Sequence, residues 1–326
     1  SLRSRMPISV AWSTPGLALL AATGAVAGGF PAATGAFIIV GALIVATAFW
    51  EPLARLIAAI PKALANAMLA GVLLKLCLAP FVAIREMPLV ALAILATWLV
   101  MMRFARLWAV PAAVAIAIGA IVMQGGGGIG GFRLPVPVFV APVFTVEALL
   151  SLALPLFIVT MASQNITGLA VLSTFGFRHS MREGLAVTGG LSLVSAILGA
   201  PTINYAAITA ALCAGQDAHA DPARRYVAAV FSGIGYILCT LLAAIAAALV
   251  LHASPILIEA AAGLALIAAF GGAIKAATED EAERLPALLT FFVTASGLTL
   301  FGIGGAFWGL ALGWSVRGLF RLEFKR

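Results

Sequence analysis

The chain is an almost unbroken succession of apolar segments, separated by short stretches that carry charge, glycine or proline. Of its 326 residues, 63% are hydrophobic and only 10% are charged. A soluble domain carries about 25% charged residues. A soluble protein of this length could not bury so many apolar side chains, because many of its residues must face water. The pattern excludes a cytosolic enzyme, a disordered chain and a nucleic-acid-binding domain, and it predicts a polytopic membrane protein.

Alanine and leucine dominate these segments, which favours helices over a barrel whose strands alternate between apolar and polar faces. The sequence therefore predicts an all-α polytopic membrane protein with twelve spans. The predicted spans are 8–23, 31–50, 61–84, 87–102, 106–124, 143–169, 183–199, 203–214, 225–250, 255–277, 286–301 and 303–320.

The basic residues predict which side of the membrane each loop faces. When residues 1–6 are placed in the cytoplasm, sixteen of the 19 Lys and Arg residues fall in cytoplasmic segments. Arg85 and Arg133 fall on the opposite side, and Lys75 falls within a span. This bias supports twelve crossings with a cytoplasmic C-terminus, and it attributes the net charge of +7 to membrane orientation rather than to nucleic acid.

Prolines at matching positions indicate an internal repeat. Pro7 and Pro201 each open a short segment, and Pro61 and Pro255 follow them by the same spacing of 54 residues. Seven predicted spans separate the two copies, so the second copy is inverted, which is typical of secondary transporters. Because two spans precede Pro201 without counterparts before Pro7, we expect a seven-plus-seven architecture that lacks its first two spans, about 60 residues, in this chain.

The segments that follow Pro7 and Pro201 are too short to be ordinary spans. Residues 203–214 would make a helix of about 18 Å, against a hydrocarbon core of about 30 Å. The prolines predict an extended stretch and then a half-helix in each copy. The two half-helices would direct their N-termini at one another near the middle of the membrane, where each carries about half a positive charge and suits an anion.

Polar and aromatic residues of these segments are the predicted substrate ligands. They are Trp12, Ser13, Thr14, Asn204, Tyr205 and Thr209. We expect the rings of Trp12 and Tyr205 to stack on an aromatic ring. The alternative is ordinary packing, with Trp12 as an anchor at the membrane interface.

The span 143–169 contains a cluster of polar side chains that would be costly in an apolar helix unless they pair or bind something. We predict that Ser163, Gln164 and Asn165 bind substrate, because the two amides supply the donors and acceptors that suit a carboxylate or its proton. Hydrogen bonds between helices are the alternative.

Ionisable residues at membrane depth are few, and Glu259 and Lys75 are the proposed candidates for proton coupling. Glu259 lies four residues after Pro255, so it also fits a role at a helix N-terminus. The glycine-rich run at 125–131 is interpreted as a connector. Metal ligands, a cofactor site and a catalytic constellation are not predicted, and we do not expect an enzyme.

Four motifs in this sequence resemble the BenE family of benzoate/proton symporters. They are MPISVAWSTPG at 6–16, SQN at 163–165, PTINYAAITAA at 201–211 and DPARRY at 221–226. The resemblance covers essentially the whole chain. It implies import of benzoate with protons across the bacterial inner membrane, and a fold with fourteen spans related to the nucleobase and sulfate transporters.

The resemblance also implies a division into a core domain and a gate domain. Residues 1–60 and 143–250 would form the core, residues 61–124 and 251–326 the gate with the cytoplasmic tail, and residues 125–142 the loop between the repeats. Thr167 stands where the family leads us to expect proline, which leaves a local helix break open.

The uncharged residues Gln164, Asn165 and Asn204 fit an anionic substrate, because nucleobase relatives use carboxylates around the site. The proton carrier stays unidentified. The expected partners are a small aromatic carboxylate, protons and the lipid bilayer, with a homodimer left open and nucleic acid excluded. Transport of another small anion or of a nucleobase-like solute, and an anion channel, are the alternative functions.

Overall fold

The computed structural model describes residues 1–23, 28–123, 136–241, 243, 255–301 and 303–323. These residues are mostly helical and include two short antiparallel ribbons. Four described helices are long and apolar enough to cross a membrane, namely Gly29–Phe49, Lys62–Glu86, Val146–Thr174 and Ile256–Thr278. The helical, multi-pass character predicted from the sequence is confirmed, whereas the number of twelve crossings stays a prediction.

The first half of the chain begins with an extended segment and a short helix, and long helices follow. Its elements are β1 (Val10–Trp12), α1 (Thr14–Thr23), α2 (Gly29–Phe49), α3 (Glu51–Ala58), α4 (Lys62–Glu86), α5 (Pro88–Phe104) and α6 (Ala109–Ile121). Pro88 opens α5 at a position where a helix needs no backbone donor. The short surface helix α3 carries an exposed ion pair between Glu51 and Arg55 at 2.6 Å.

The second half repeats the order of an extended segment and a short helix, here after two longer helices. Its elements are α7 (Val146–Thr174), α8 (Met181–Ala196), β2 (Ile203–Tyr205), α9 (Ala207–Ala214), α10 (Tyr226–Leu241), α11 (Pro255–Thr278), α12 (Arg284–Ala295), β3 (Thr299–Leu300), β4 (Ile303–Gly304) and α13 (Gly305–Glu323). The side chain of Ser180 caps α8 by accepting a hydrogen bond from the Glu183 N–H.

One predicted span, 286–301, is not a continuous helix. α12 ends at Ala295, and β3 then pairs with β4 in a tight antiparallel hairpin. Gly297 and Phe301 both have positive φ angles, of 69° and 54°, which a right-handed helix does not accommodate. The prediction missed this interruption because no charged residue and no further proline follows Pro286 within the segment.

The described residues pack into two compact units, each with its own core. The first comprises Ser1–Val72, Pro137–Tyr236 and Ala273–Arg326, and the second comprises Leu73–Val136 and Ile237–Gly272. In the second unit, Ile94, Ala113, Leu257 and Leu264 are buried together in one cluster. The core and gate domains expected from the family resemblance stay a prediction.

Within the first unit, α2 and α8 cross closely because glycines line their contact. A Cβ atom added at Gly189 would lie 2.8 Å from the Val45 backbone nitrogen and 3.0 Å from the Gly41 carbonyl oxygen. A Cβ atom at Gly41 would lie 3.0 Å from the Leu193 nitrogen. Small residues let two helix backbones approach each other where lipid provides no hydrophobic drive for association.

We expect Gly189→Ala to lower the apparent melting temperature of the purified protein in detergent, because the new methyl group meets backbone atoms of α2. Overpacking of this kind costs about 1–3 kcal/mol. The neighbouring Gly190 has open space around an added Cβ atom, so Gly190→Ala is the matched control and should leave the melting temperature equal or slightly higher. Equal melting temperatures for the two variants would contradict the close crossing.

Candidate functional site

The two proline-led motifs meet in one antiparallel ribbon. β1 and β2 pair Val10 with Tyr205, Ala11 with Asn204, and Trp12 with Ile203. Two flanking backbone bonds extend the ladder, from the Ser13 N–H to the Thr202 carbonyl at 2.8 Å and from the Ala206 N–H to the Ser9 carbonyl at 3.0 Å. Because the strands are antiparallel, α1 and α9 begin at opposite ends of the ribbon. The predicted extended segments and short helices are both present.

Ser13 occupies the start of α1 as a helix cap. Its carbonyl accepts the first helical bond, from the Leu17 N–H, and its Oγ accepts from the Gly16 N–H at 3.1 Å. The same Oγ lies 3.0 Å from Thr160 Oγ1, in a buried contact between hydroxyls. Pro15 has no N–H, so the N–H of Thr14 is the remaining backbone donor of this first turn after the contacts just described.

The first turn of α9 has more backbone N–H donors than the first turn of α1. Gln164 Oε1 accepts from the Ala207 N–H at 3.4 Å, and the helical bond that closes the first turn runs from the Ala210 N–H to the Ala206 carbonyl at 2.7 Å. The N–H groups of Ile208 and Thr209 lie in this first turn, where a helix provides no acceptor. Donors of this kind, together with the helix dipole, favour an anion at the end of α9.

The far end of α9 is held by Arg225, which the sequence indicated only as a cytoplasmic charge. Its guanidinium is buried, with 6% exposure, and it donates to the Ala214 carbonyl and to the His219 carbonyl, both at 2.8 Å. Ala214 is the last residue of α9, so the cation lies where the helix dipole is negative. The motif DPARRY contains this arginine, and it was the sequence feature that could have indicated a structural role for Arg225.

α7 widens into a π-helical turn over Thr160–Asn165, next to the ribbon. Asn165 is fully buried, and its Oδ1 accepts from the Tyr205 N–H at 3.0 Å. Gln164 reaches the start of α9 from the same turn. The half-buried Ser163 bonds back to its own helix, at the Val159 carbonyl. π turns are frequent at functional sites. In this one, the side-chain amides of two consecutive residues, Gln164 and Asn165, both accept hydrogen bonds from backbone N–H groups of the ribbon region.

The helix break left open at Thr167 does not occur. α7 continues through this position, and the Thr167 hydroxyl donates to the Ala162 carbonyl at 2.9 Å. The helix is widened at 160–165 instead of broken, so the local irregularity lies a few residues before the expected place.

Asn204 is buried, with 1% exposure, and its Nδ2 has no hydrogen-bond partner among the described residues. Thr202, two residues earlier on the same strand face, has an unpartnered hydroxyl within the same described part of the chain. A buried polar group without a partner costs about 1–3 kcal/mol. Such groups are available to a ligand. Of the remaining predicted residues, Thr209 is half-buried and Thr14 is exposed.

The two aromatic residues of the ribbon have different surroundings. Tyr205 is 1% exposed, because its ring fills the space that Gly168 and Gly184 leave open, and its hydroxyl lies 2.8 Å from His179 Nδ1. In this arrangement the Tyr205 ring is not accessible for stacking on a ligand, unlike the expectation from the sequence. Trp12 is 46% exposed and packs against Tyr236, with ring centroids 5.2 Å apart.

Two cavities border the ribbon, and Val10 lines both. The smaller, of about 420 Å³, is mostly apolar and includes Trp12, Leu191 and Ile203. The larger, of about 970 Å³, is bordered by polar and titratable groups. These include Arg3, Ser9, His179, Glu183, Tyr205 and Tyr236. Both volumes are in the range of small-molecule sites.

The proposed coupling residues Lys75 and Glu259 are exposed side chains on α4 and α11. Both belong to the second compact unit, whereas the ribbon belongs to the first. Within the described ranges, no group of three or more His, Cys, Asp or Glu residues is placed to hold a metal ion.

These features define a class: a helical, multi-pass membrane protein in which two short helices start from one ribbon beside buried amides. The family model described as "Benzoate membrane transport protein" (BenE) matches residues 1–319. The chain therefore belongs to the BenE family, as the sequence motifs predicted, and this family is one of membrane transporters rather than enzymes.

Two relatives agree with this assignment. The chain is 40% identical over 311 residues to the inner membrane protein YdcO of Escherichia coli (strain K12), a match that covers 95% of this chain and 79% of the relative. It is 33% identical over 327 residues to the benzoate membrane transport protein of Acinetobacter baylyi, covering 96% of this chain and 80% of the relative.

Arg225→Gln should lower the melting temperature of the detergent-purified protein, because the carbonyls at the end of α9 lose a buried, charged donor. Each unsatisfied buried group costs about 1–3 kcal/mol. The control is Arg224→Gln, since Arg224 is exposed in a surface ion pair with Asp221 at 3.8 Å, worth about 0–1 kcal/mol. A melting temperature of Arg225→Gln that matches this control would show that Arg225 does not hold α9.

Proposed function

We propose that this protein imports benzoate or a similar aromatic carboxylate across the bacterial inner membrane, together with protons, by alternating access. The observation that carries the proposal is the start of α9, where backbone donors lie beside the amides of Gln164 and Asn165. Membership of the BenE family and the name of the Acinetobacter baylyi relative support the substrate class, and the names of both relatives support the membrane.

The carboxylate would bind at the start of α9. The N–H groups of Ile208 and Thr209 and the partial positive charge of the helix are matched to an anion. The unpartnered Nδ2 of Asn204 adds a donor three residues before the helix. A neutral site of this kind attracts an anion without the desolvation cost of a buried lysine or arginine.

The aromatic ring would extend from the start of α9 along the ribbon towards the smaller cavity. Its lining by Trp12, Leu191 and Ile203 is apolar, and its volume of about 420 Å³ exceeds what one phenyl ring needs. The accessible face of Trp12 offers a surface on which a ring can stack, at a gain of about 0.5–1.5 kcal/mol beyond area burial.

We further propose that the fold is an inverted repeat of the seven-plus-seven type, with a core domain that moves against a gate domain. The same order of extended segment and short helix at 10–23 and 203–214 supports a repeat, and the antiparallel pairing of the two strands supports its inversion. Half-helices that meet at a ribbon are consistent with a binding site at the repeat interface.

We expect proteoliposomes containing the purified protein to accumulate labelled benzoate against its gradient when the outside is made acidic. Uptake should saturate, and an uncoupler should abolish accumulation because it removes the proton gradient. A channel would instead equilibrate benzoate without accumulation, and a carrier for another anion or for a nucleobase-like solute would leave benzoate uptake at the level of empty liposomes.

Gln164→Glu should raise the KM for benzoate at least tenfold while leaving the melting temperature equal or higher. The new carboxylate still accepts from the Ala207 N–H and suits the start of a helix, but its charge repels an anionic substrate. The control is Ser173→Ala, since Ser173 is exposed near the end of the same helix and bonds only to the carbonyl of Ala170. An unchanged KM in Gln164→Glu would remove Gln164 from the binding site.

A further inference from the structure

We propose that His179 carries the proton that accompanies the aromatic carboxylate, and that Tyr205 connects it to the binding ribbon. This inference rests on the proposed function, and it assigns the coupling role to a residue other than Glu259 and Lys75. Its basis is the contact between a titratable side chain and a ribbon residue next to α9, at the border of the larger cavity.

The contact between His179 and Tyr205 is direct. His179 Nδ1 and the Tyr205 hydroxyl oxygen are 2.8 Å apart, and the two rings meet edge-on with centroids 6.1 Å apart. Tyr205 is fixed at its other end, because its N–H donates to Asn165 and it pairs with Val10 in the ribbon. A single residue, Ala206, separates Tyr205 from the first residue of α9. A change at His179 therefore acts next to the proposed carboxylate subsite.

The larger cavity provides the surroundings that a proton-carrying group needs. His179 is half-buried in its wall, so it is open to a cavity while one ring nitrogen is engaged. Glu183, from the first turn of α8, lines the same cavity and gives its wall a negative charge.

Other charged or titratable groups also line this cavity. They are Arg3 from the N-terminal segment, Tyr205 from β2, and Tyr236 from α10. Arg182, three residues after the histidine and within α8, has its guanidinium over the Phe49 ring, 4.9 Å from the ring centroid. The described wall of the cavity therefore carries a positive side chain, Arg3, and a negative one, Glu183.

When the neutral ring carries its hydrogen on Nε2, Nδ1 accepts from the Tyr205 hydroxyl, and protonation reverses this hydrogen bond without breaking a bond between heavy atoms. The doubly protonated ring carries hydrogen on both nitrogens, so Nδ1 donates and the Tyr205 oxygen accepts. The proton enters from solvent in the cavity on one side of the membrane and leaves to solvent when alternating access opens the site to the other side. Imidazole is the side chain that ordinarily titrates between pH 5 and 8, a range in which an aromatic carboxylate stays ionised.

A positive charge on His179 and an anion at the start of α9 attract each other. Linkage between two binding events is reciprocal, so protonation tightens binding of the carboxylate and the carboxylate favours protonation. The proton then moves with the anion as a neutral pair, which lowers the cost of moving charge through the membrane.

The test uses the full chain in proteoliposomes and compares His179→Gln with the wild type in three measurements. These are accumulation of labelled benzoate driven by an acidic exterior, benzoate counterflow at equal pH on both sides, and the Kd for benzoate between pH 6 and 8. His179→Gln should keep counterflow within about twofold, lose accumulation, and show a Kd that no longer tightens as the pH falls. His219→Gln, the matched control in an exposed loop, should behave as the wild type in all three.

Accumulation and a pH-dependent Kd in His179→Gln equal to those of the wild type would overturn the coupling role. If His179→Gln fails to fold, Tyr205→Phe is the second variant: without the hydroxyl that contacts His179, the Kd for benzoate should tighten less as the pH falls. A pH dependence equal to that of the wild type would overturn the proposal. A wild type that does not accumulate benzoate at all refutes the proposed function itself, which separates the two failures.

Discussion

The pairing of β1 with β2 is the interaction on which the arrangement of the first unit depends. A backbone that leaves the helical conformation inside an apolar protein must find new partners for its N–H and C=O groups, since each unpaired group is costly. Here the two extended segments satisfy one another, and the bonds from Ser13 to Thr202 and from Ala206 to Ser9 complete the ladder. Each short helix can therefore start directly after a segment whose backbone groups are already paired. The ribbon also joins motifs that lie far apart in the sequence.

The two half-helices are alike in sequence position and unlike in chemistry. In α1, Ser13 and Pro15 together remove most of the free donors of the first turn. In α9, Gln164 accepts from one backbone donor, and Arg225 holds the opposite end. A helix of eight residues has little internal cohesion, so contacts at both ends determine its position. This asymmetry makes α9 the better place for an anion, whereas a comparison of the motifs alone treats the halves as equals.

The sequence predicted those features that follow from local chemistry. The prolines and the short apolar run predicted the extended segments with their half-helices, and the polar cluster in 143–169 pointed to Gln164 and Asn165. Contacts across the chain were beyond such reasoning: the buried Arg225 cap, the packing of Tyr205 between two glycines and its bond to His179 depend on tertiary structure. The π turn at 160–165 was missed as well, because widening a helix leaves no periodic signal. The hairpin after Ala295 was missed because the segment contains no charged residue that would mark its end.

The absence of formal charge from the predicted ligands has a consequence for proton coupling. Among Ser13, Gln164, Asn165 and Asn204, no side chain titrates near neutral pH, so these residues can bind an anion and cannot themselves carry a proton. A carrier that moves both must hold the proton on a neighbouring group, close enough for the two charges to attract and separate enough for the carboxylate to keep its backbone donors. Tyr205 meets this requirement as a connection, since its backbone belongs to the ribbon while its hydroxyl contacts His179. Separating the two tasks lets the anion subsite stay neutral throughout the cycle, so the site never has to bury an unpaired charge.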